Sequence, residues 1–158
     1  VMVKIDNLDR KILNVIISNA RTPFKEIADS CGVSRAAVHQ RVQRLIEAKV
    51  ITGSGYHVDY KLLGYTTYTY VGVKLEKGSL FREVSEALKQ INEIVECHFT
   101  TGAYAMLIKV ISRDNAHLME VLSEHIQNIP GVLSTETMIS LEENFSRPYV
   151  LTDIVDGK

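Results

Sequence analysis

The sequence predicts an α+β protein in which a winged helix-turn-helix domain is followed by a ferredoxin-like βαββαβ domain. Three observations favour this fold: helical spacing of apolar residues near the N-terminus, alternating strand and helix patterns further along, and a basic excess confined to the N-terminal part. The expected boundaries are residues 1–58 for the first domain, 59–64 for a linker, 65–145 for the second domain and 146–158 for a C-terminal tail. The tail lacks a firm apolar period, which fits either a subunit-contacting or a disordered segment.

The composition indicates an ordinary globular protein. Of 158 residues, 46% are hydrophobic and 23% are charged, a balance that excludes the disordered classes. The first residues lack the basic and apolar regions of a signal peptide, and no apolar stretch reaches membrane-spanning length. We therefore expect a cytoplasmic protein that does not associate with membranes, in which Cys31 and Cys97 are buried, reduced thiols.

The net charge of -1 hides an uneven distribution of charge along the chain. Residues 1–60 contain nine Lys and Arg against six Asp and Glu, whereas residues 61–158 contain nine against thirteen. Residues 35–49 alone carry four basic residues and one acidic residue. Such a local excess of positive charge favours a polyanionic partner.

Three helices are expected in the first part of the chain. The first begins after the capping residue Asp6, and its apolar positions are Leu8, Ile12, Leu13, Ile16 and Ile17. The second runs from about Pro23 to Cys31 and is ended by Gly32, and the third begins at the capping residue Ser34. So short a connection makes the two helices cross steeply, as in a helix-turn-helix. Residues 50–58 carry a Gly-Ser-Gly turn signal between short β-type runs, which predicts a small hairpin or wing.

A βαββαβ order is expected beyond the linker. The β-type runs lie at about residues 68–75, 94–100, 104–111 and 132–141, and the helical patterns at about 79–91 and 114–129. A tight turn at 101–103 joins the second and third strands. This order is that of a ferredoxin-like sheet of four antiparallel strands with both helices on one face. An apolar opposite face predicts a dimer or a larger assembly.

Several segments together resemble the Lrp/AsnC, or feast/famine, family of transcriptional regulators. They are LDRKIL at 8–13, the helix-turn-helix at 28–44, ITG at 51–53, ECHFTTGAY at 96–104 and STET at 134–137. With NART at 19–22, the TTG and STET segments are closer to the asparagine-responsive branch than to the leucine-responsive one. The resemblance spans nearly the whole chain.

The resemblance implies dimers built from paired C-terminal domains, often assembled into an octameric disc around which DNA can wrap. It also implies a site for a small amino acid, with asparagine as the first candidate, between C-terminal domains of neighbouring dimers. The expected effector-binding residues are Thr101, Gly102, Ala103, Tyr104 and Ala105, together with Gln127, Thr135 and Thr137. A glycine turn suits such a ligand because it exposes backbone donors and acceptors at close range.

Two positions depart from the family pattern. Many members carry acidic residues where this chain has Ala103 and Ala105, and a carboxylate there could pair with the ammonium group of the effector. Three alternatives follow for this chain. Backbone carbonyls, Glu136 or another subunit supply the partner, or the effector differs, or the site has lost its ligand.

The expected DNA-binding residues lie on and beside the third helix, and they are Ser34, Arg35, His39, Gln40, Arg41, Gln43, Arg44 and Lys49. Arg35, His39, Gln40 and Gln43 recur on the exposed helix face, where they could reach base edges in a major groove. Arg41, Arg44 and Lys49 are assigned to phosphates or to partner carboxylates, contacts that position the protein without reading sequence. The alternative is a solvated helix face without DNA contacts.

No catalytic or metal-binding pattern is expected. His117 and His125 lie too far apart on one helix to share a metal, and neighbouring strand residues Cys97 and His98 point to opposite faces. Phosphate-binding loops and nucleophile motifs are missing, so neither enzymatic activity nor a cofactor is predicted. The predicted function is a DNA-binding transcriptional regulator that responds to an amino acid. The alternatives are an amino-acid-binding regulatory subunit of a metabolic enzyme and an architectural DNA-binding protein without an effector.

Overall fold

The computed structural model describes residues 2–153. The chain divides into a helical unit, Val1–His57 with Phe145–Lys158, and a sheet unit, Val58–Asn144. The predicted α+β class and the order of the two folded parts are confirmed. Residues 154–158 of the expected tail lie outside the described residues. Within the described part, no helix is long and apolar enough to cross a membrane.

The helical unit contains the three expected helices, α1 (Asn7–Ser18), α2 (Phe24–Cys31) and α3 (Arg35–Glu47). A capping box begins α1, because Asp6 accepts a hydrogen bond from the Asp9 amide at 2.8 Å while the Asp9 carboxylate accepts from the Asp6 amide at 3.0 Å. Gly32 ends α2 in the left-handed conformation, with a φ of 67°. Ser34 begins α3 by accepting from the Ala37 amide at 3.1 Å.

One apolar core holds the three helices together. Its buried members are Ile12, Ile27, Ala28, Val38 and Val42. The turn between α2 and α3 is closed by the Val33 amide, which donates to the Ala28 carbonyl at 3.1 Å. The helix-turn-helix predicted from the glycine and the small residue before it is therefore formed.

The hairpin or wing predicted at residues 50–58 is wrong, because residues 52–58 run as a single chain without strand pairing. The β-type runs on either side of the Gly-Ser-Gly turn are very short, and an isolated two-stranded hairpin is only marginally stable. Tyr56 instead contacts the turn after α1. The Arg21 guanidinium donates to the Tyr56 hydroxyl at 2.8 Å and lies 5.8 Å from the centre of its ring.

The first part of the expected tail folds with α1. Asn14 donates through Nδ2 to the Leu151 carbonyl at 2.7 Å and accepts through Oδ1 from the Leu151 amide at 2.9 Å. The Arg10 guanidinium donates to the Thr152 carbonyl at 3.2 Å. These contacts recognise backbone groups, so the apolar pattern of the tail gave no sign of them. Through Leu151 and Thr152 the tail is attached to the helical unit.

The sheet unit begins with a short 3₁₀ turn, Tyr60–Leu63, inside the expected linker. Its main elements are β1 (Thr67–Leu75), α4 (Phe81–Lys89) preceded by a 3₁₀ turn at Gly78–Leu80, β2 (Ile94–Phe99), β3 (Met106–Ser112), α5 (Asn115–Glu120) with a π-helical continuation (Val121–Ile126), and β4 (Val132–Ser140). The strand order is β2-β3-β1-β4 and every pairing is antiparallel. This is the predicted ferredoxin-like arrangement.

The helices of the sheet unit cover one face of the sheet. The buried side chains between them are Val71, Val73, Val84, Leu88, Met106, Ile108, Val110, Leu118, Val121 and Ile126. On the opposite, open face, the cross-strand partners Tyr70 and Met138 are 37% and 45% exposed. The open apolar face predicted from the strand pattern is thus present on the isolated chain.

Two further details of the structure differ from expectation. The helix predicted at 114–129 changes from α to π geometry at Val121, and the wider turns still direct Val121 and Ile126 into the core. Cys97 is exposed and Cys31 is partly exposed, so the prediction of two buried thiols is wrong. Cys97 lies on β2, an edge strand, where neighbouring elements cover less of the chain.

Candidate functional site

The exposed face of α3 displays several of the predicted DNA-binding residues. Ser34, Arg35, His39, Gln40, Gln43 and Lys49 are all exposed. The Arg35, His39 and Gln43 positions follow one another at four-residue intervals and therefore lie in one row along the helix. The His39 ring meets the Phe24 ring edge-on at 6.0 Å, which supports its imidazole on α2. The row presents a cation and hydrogen-bonding groups to a partner.

Arg41 and Arg44 lie on the side of α3 that faces α1. Both guanidinium groups bind Asp9, Arg41 at 3.1 Å through Nη1 and Arg44 through Nη2, and Arg41 also binds Asp6. The Asp9 side chain is fully buried. The Arg41 hydrogen bond, together with the capping box, lowers the pKa of Asp6 from 3.8 to about 2, and the pKa of Arg41 is raised.

The sequence assigned Arg41 and Arg44 to either phosphates or carboxylates. In the structure, both guanidinium groups bind carboxylates. Each is engaged within the helical unit rather than presented as a free cation. Sequence reasoning recognised Asp6 as a cap but missed Asp9 as the centre of this network. The available signal was an acidic residue on the apolar side of α1, at a position that becomes buried.

The predicted effector turn connects β2 and β3. The Thr100 amide donates to the Ala105 carbonyl, and the Thr100 hydroxyl donates to the Tyr104 carbonyl, each at 2.9 Å. Between these contacts, Thr101, Gly102 and Ala103 are exposed, and Gly102 has a φ of 101°. A side chain at this φ would strain the backbone, which explains glycine at the tip of the turn.

The other predicted effector residues fall into two groups on opposite faces of the sheet. The amide of Gln127 donates to the Thr135 hydroxyl at 2.9 Å, and Thr135 and Thr137 pair with buried β1 residues on the helix-covered face. Tyr104 lies on the open face against Gly72. The structure therefore separates Tyr104 from Gln127 and Thr135, which the sequence had grouped together.

Glu136 joins Tyr104 on the open face. It pairs with Gly72 across β1 and β4, and its nearby carboxylate raises the pKa of the Tyr104 hydroxyl. The sequence had offered Glu136 only as one of several partners for an effector ammonium group. Gly72 was missed, because a glycine in an apolar strand gives no sign of what packs on it.

No group of three or more His, Cys, Asp or Glu side chains within residues 2–153 is arranged to hold a metal ion. His117 instead bridges two elements, since its Nδ1 accepts from the Arg113 amide at 3.1 Å and its Nε2 lies 3.2 Å from the Glu93 carboxylate. A proton on Nε2 satisfies both contacts. The imidazole is thus used in a structural hydrogen-bond network.

Two family domains, several relatives and a solved structure resemble this chain over most of its length. An AsnC-type helix-turn-helix domain matches residues 5–46, and an Lrp/AsnC ligand binding domain matches residues 69–150. The chain is 37% identical over 146 residues to Regulatory protein AsnC of Haemophilus influenzae, covering 92% of this chain and 97% of the relative. It is 38% identical over 143 residues to Regulatory protein AsnC of Escherichia coli K12, covering 90% and 94%. The solved structure of E. coli AsnC superimposes with a TM-score of 0.90 at 37% identity, covering 94% of this chain and all of that chain, 100%.

Proposed function

Because the chain belongs to the Lrp/AsnC family of transcriptional regulators, with an AsnC-type helix-turn-helix, we propose that it reads a specific DNA sequence and responds to a small amino acid. The relatives that match almost the whole chain are named as regulatory proteins, and an enzyme-subunit role would leave the helix-turn-helix without a task. The proposed location is the cytoplasm, because a bacterial regulator meets chromosomal DNA there.

For DNA recognition, we propose that α3 enters the major groove. The observation that carries this proposal is the exposed row of Arg35, His39 and Gln43 on a helix whose other charged side is occupied by Asp6 and Asp9. Arg35, His39, Gln40 and Gln43 are then the candidates for base contacts, and Ser34 and Lys49 for contacts with phosphates. Arg41 and Arg44 act indirectly, by orienting α3 on α1.

We propose that the protein works as a homodimer that assembles further, with an octamer as the family-based expectation. The support is the open sheet face, on which Tyr70 and Met138 stay exposed in the single chain. Two recognition helices of a dimer would enter successive major grooves about 34 Å apart, so the operator would be an imperfect palindrome.

For the effector, we propose a site built around the turn Thr101–Ala105, with asparagine as the first candidate ligand. Support comes from the exposed backbone of this turn and from the ligand-binding domain that matches residues 69–150. The effector acts only if it binds one assembly or DNA-binding state better than another. A coupling of about 1–3 kcal/mol is typical of such regulation and is enough to switch operator occupancy.

The proposal is tested by selecting DNA from a random pool with the purified protein, with and without a mixture of the twenty amino acids. We expect a palindromic motif whose enrichment changes with one amino acid. Enrichment that no amino acid changes would leave an architectural DNA-binding protein and refute the effector role. Without any enrichment at moderate salt, the DNA-binding proposal itself would be abandoned.

A matched pair of variants locates the DNA contact. Arg35→Ala removes an exposed cation from the proposed surface, whereas Arg82→Ala removes a cation from α4 of the sheet unit. We expect Arg35→Ala to weaken operator binding and, because it removes a contact with a base edge, to relax the sequence preference at one operator position. Arg82→Ala leaves both quantities unchanged. Equal effects of the two substitutions would contradict the placement of α3 in the groove.

A further inference from the structure

Gly72 leaves space that the Tyr104 ring occupies. Gly72 lies in β1 between the buried residues Val71 and Val73, so a side chain at this position would point to the open face. A methyl group on Gly72 would lie 2.6 Å from Cγ and Cδ1 of Tyr104 and 2.8 Å from Cδ2. Carbon atoms in contact lie about 3.5–4.0 Å apart, so the ring could not stay in place above any larger residue.

Two further contacts fix the neighbourhood of this ring. Glu136 stands opposite Gly72 on β4, and its carboxylate is close enough to raise the pKa of the Tyr104 hydroxyl. The Thr100 hydroxyl donates to the Tyr104 carbonyl at 2.9 Å, and the Ala105 amide donates to a β1 carbonyl at 3.1 Å. Tyr104 is thus held at its ring and its backbone, and its hydroxyl lies near a carboxylate.

We propose that Gly72, Tyr104 and Glu136 are positioning residues that hold residues 101–103 in the conformation that binds the amino-acid effector. The inference rests on the effector function proposed above. Residues 101–103 are exposed, and no buried side chain of their own anchors them to the sheet. Their shape therefore depends on how firmly the flanking residues Thr100 and Tyr104 are fixed, and Tyr104 receives its main support from the bare backbone of Gly72.

The first test measures hydrogen exchange of the peptide covering residues 100–105 in the full chain. Gly72→Ala pushes the ring from its place, and we expect the exchange of the Ala105 amide to accelerate by about tenfold or more. Gly78→Ala is the matched control, because a methyl group there meets no atom within 4 Å and the residue lies in the same unit. In the Gly78→Ala variant, the hydrogen-exchange rates of residues 100–105 should equal those of the parent protein.

A double substitution separates this specific contact from general damage to β1. Tyr104→Ala removes the ring, so that the methyl group of Gly72→Ala then has room. We expect Gly72→Ala to accelerate exchange in the parent background and to add nothing in the Tyr104→Ala background. Additive effects of the two substitutions would overturn the proposal, as would unchanged exchange in Gly72→Ala alone.

The second test measures binding of L-asparagine by calorimetry, well below the melting temperature of each variant. We expect Gly72→Ala and Glu136→Ala to weaken binding by about tenfold. Glu136→Gln should weaken binding less than Glu136→Ala, because its amide oxygen can accept a hydrogen bond from the Tyr104 hydroxyl. Binding unchanged in Gly72→Ala would overturn the positioning role. If the parent protein binds none of the twenty amino acids, the proposed effector function fails, and the exchange experiment alone then decides whether Tyr104 fixes the turn.

Discussion

Each unit contains a carboxylate that holds a neighbouring element, and the two carboxylates differ in their burial. Asp9 of the helical unit is fully buried and receives Arg41, Arg44 and the Asp6 amide. Glu136 of the sheet unit is exposed, and its carboxylate raises the pKa of the Tyr104 hydroxyl. A buried carboxylate that loses its cations cannot recover its hydration, whereas an exposed one can. The first contact therefore maintains the fold, whereas the second is the one that we propose adjusts a turn.

The largest effect is expected from breaking the buried network. Arg41→Ala combined with Arg44→Ala leaves the Asp9 carboxylate buried without a cation, which should lower the free energy of unfolding by about 3–5 kcal/mol. Urea denaturation of the purified variant measures this loss. The variant would also bind DNA weakly, because α3 is no longer fixed on α1.

A double control removes the same amount of charge from exposed positions. Lys25 and Arg35 are exposed and have no ion pair with any carboxylate in the described part of the chain. We expect Lys25→Ala with Arg35→Ala to change the free energy of unfolding by less than about 0.5 kcal/mol. Similar losses in the two double variants would show that net charge, rather than the Asp9 network, determines stability.

An intermediate effect is expected at the contact between α1 and the tail, which is partly buried. Asn14→Ala removes both hydrogen bonds to Leu151 and should cost about 1–2 kcal/mol of unfolding free energy. Asn128→Ala serves as the control, since this side chain makes only a local, exposed bond to the Glu124 carbonyl. A loss in Asn14→Ala no greater than in Asn128→Ala would mean that the tail contributes nothing to the helical unit.

The smallest effect is expected at Asp6, whose side chain is 54% exposed. Folding lowers its pKa from 3.8 to about 2, so its ionised form stabilises the folded protein above about pH 3.8, and this contribution disappears as the pH falls through about 2. Asp6→Asn keeps a capping oxygen but removes the charge. It should cost less than about 1 kcal/mol near neutral pH and nothing near pH 2. A pH-independent difference between Asp6→Asn and the parent protein would contradict this assignment.

The sequence was informative where one physical effect dominates. Apolar spacing predicted α1, α3 and the four strands, because burial of one face repeats with the period of the element. The helix α2 was predicted from the proline at its start and the glycine at its end. Gly32 and Ser34 fixed the turn between α2 and α3, because a left-handed residue and a capping residue have few substitutes.

The sequence failed where the outcome depends on which distant groups meet. Arg35 and Arg44 have the same chemistry and lie on one helix, yet only the fold brings Arg44 to Asp9. The face on which Tyr104 lies was equally hidden, because it depends on the missing side chain of Gly72 in another strand. Short β-type runs at 50–58 could not be told from a hairpin without knowing whether they have a partner.

The hydrogen bonds between Asn14 and Leu151 also affect the order in which the chain folds during its synthesis. N-terminal segments usually fold first during synthesis. Here, the two hydrogen bonds between Asn14 of α1 and Leu151 can form only after the ribosome has added residues near the end of the chain. We expect the sheet unit to be complete before the helical unit acquires its tail. A nascent helical unit would therefore gain the contact between Asn14 and Leu151, and the stability that this contact contributes, only after the rest of the molecule has been built.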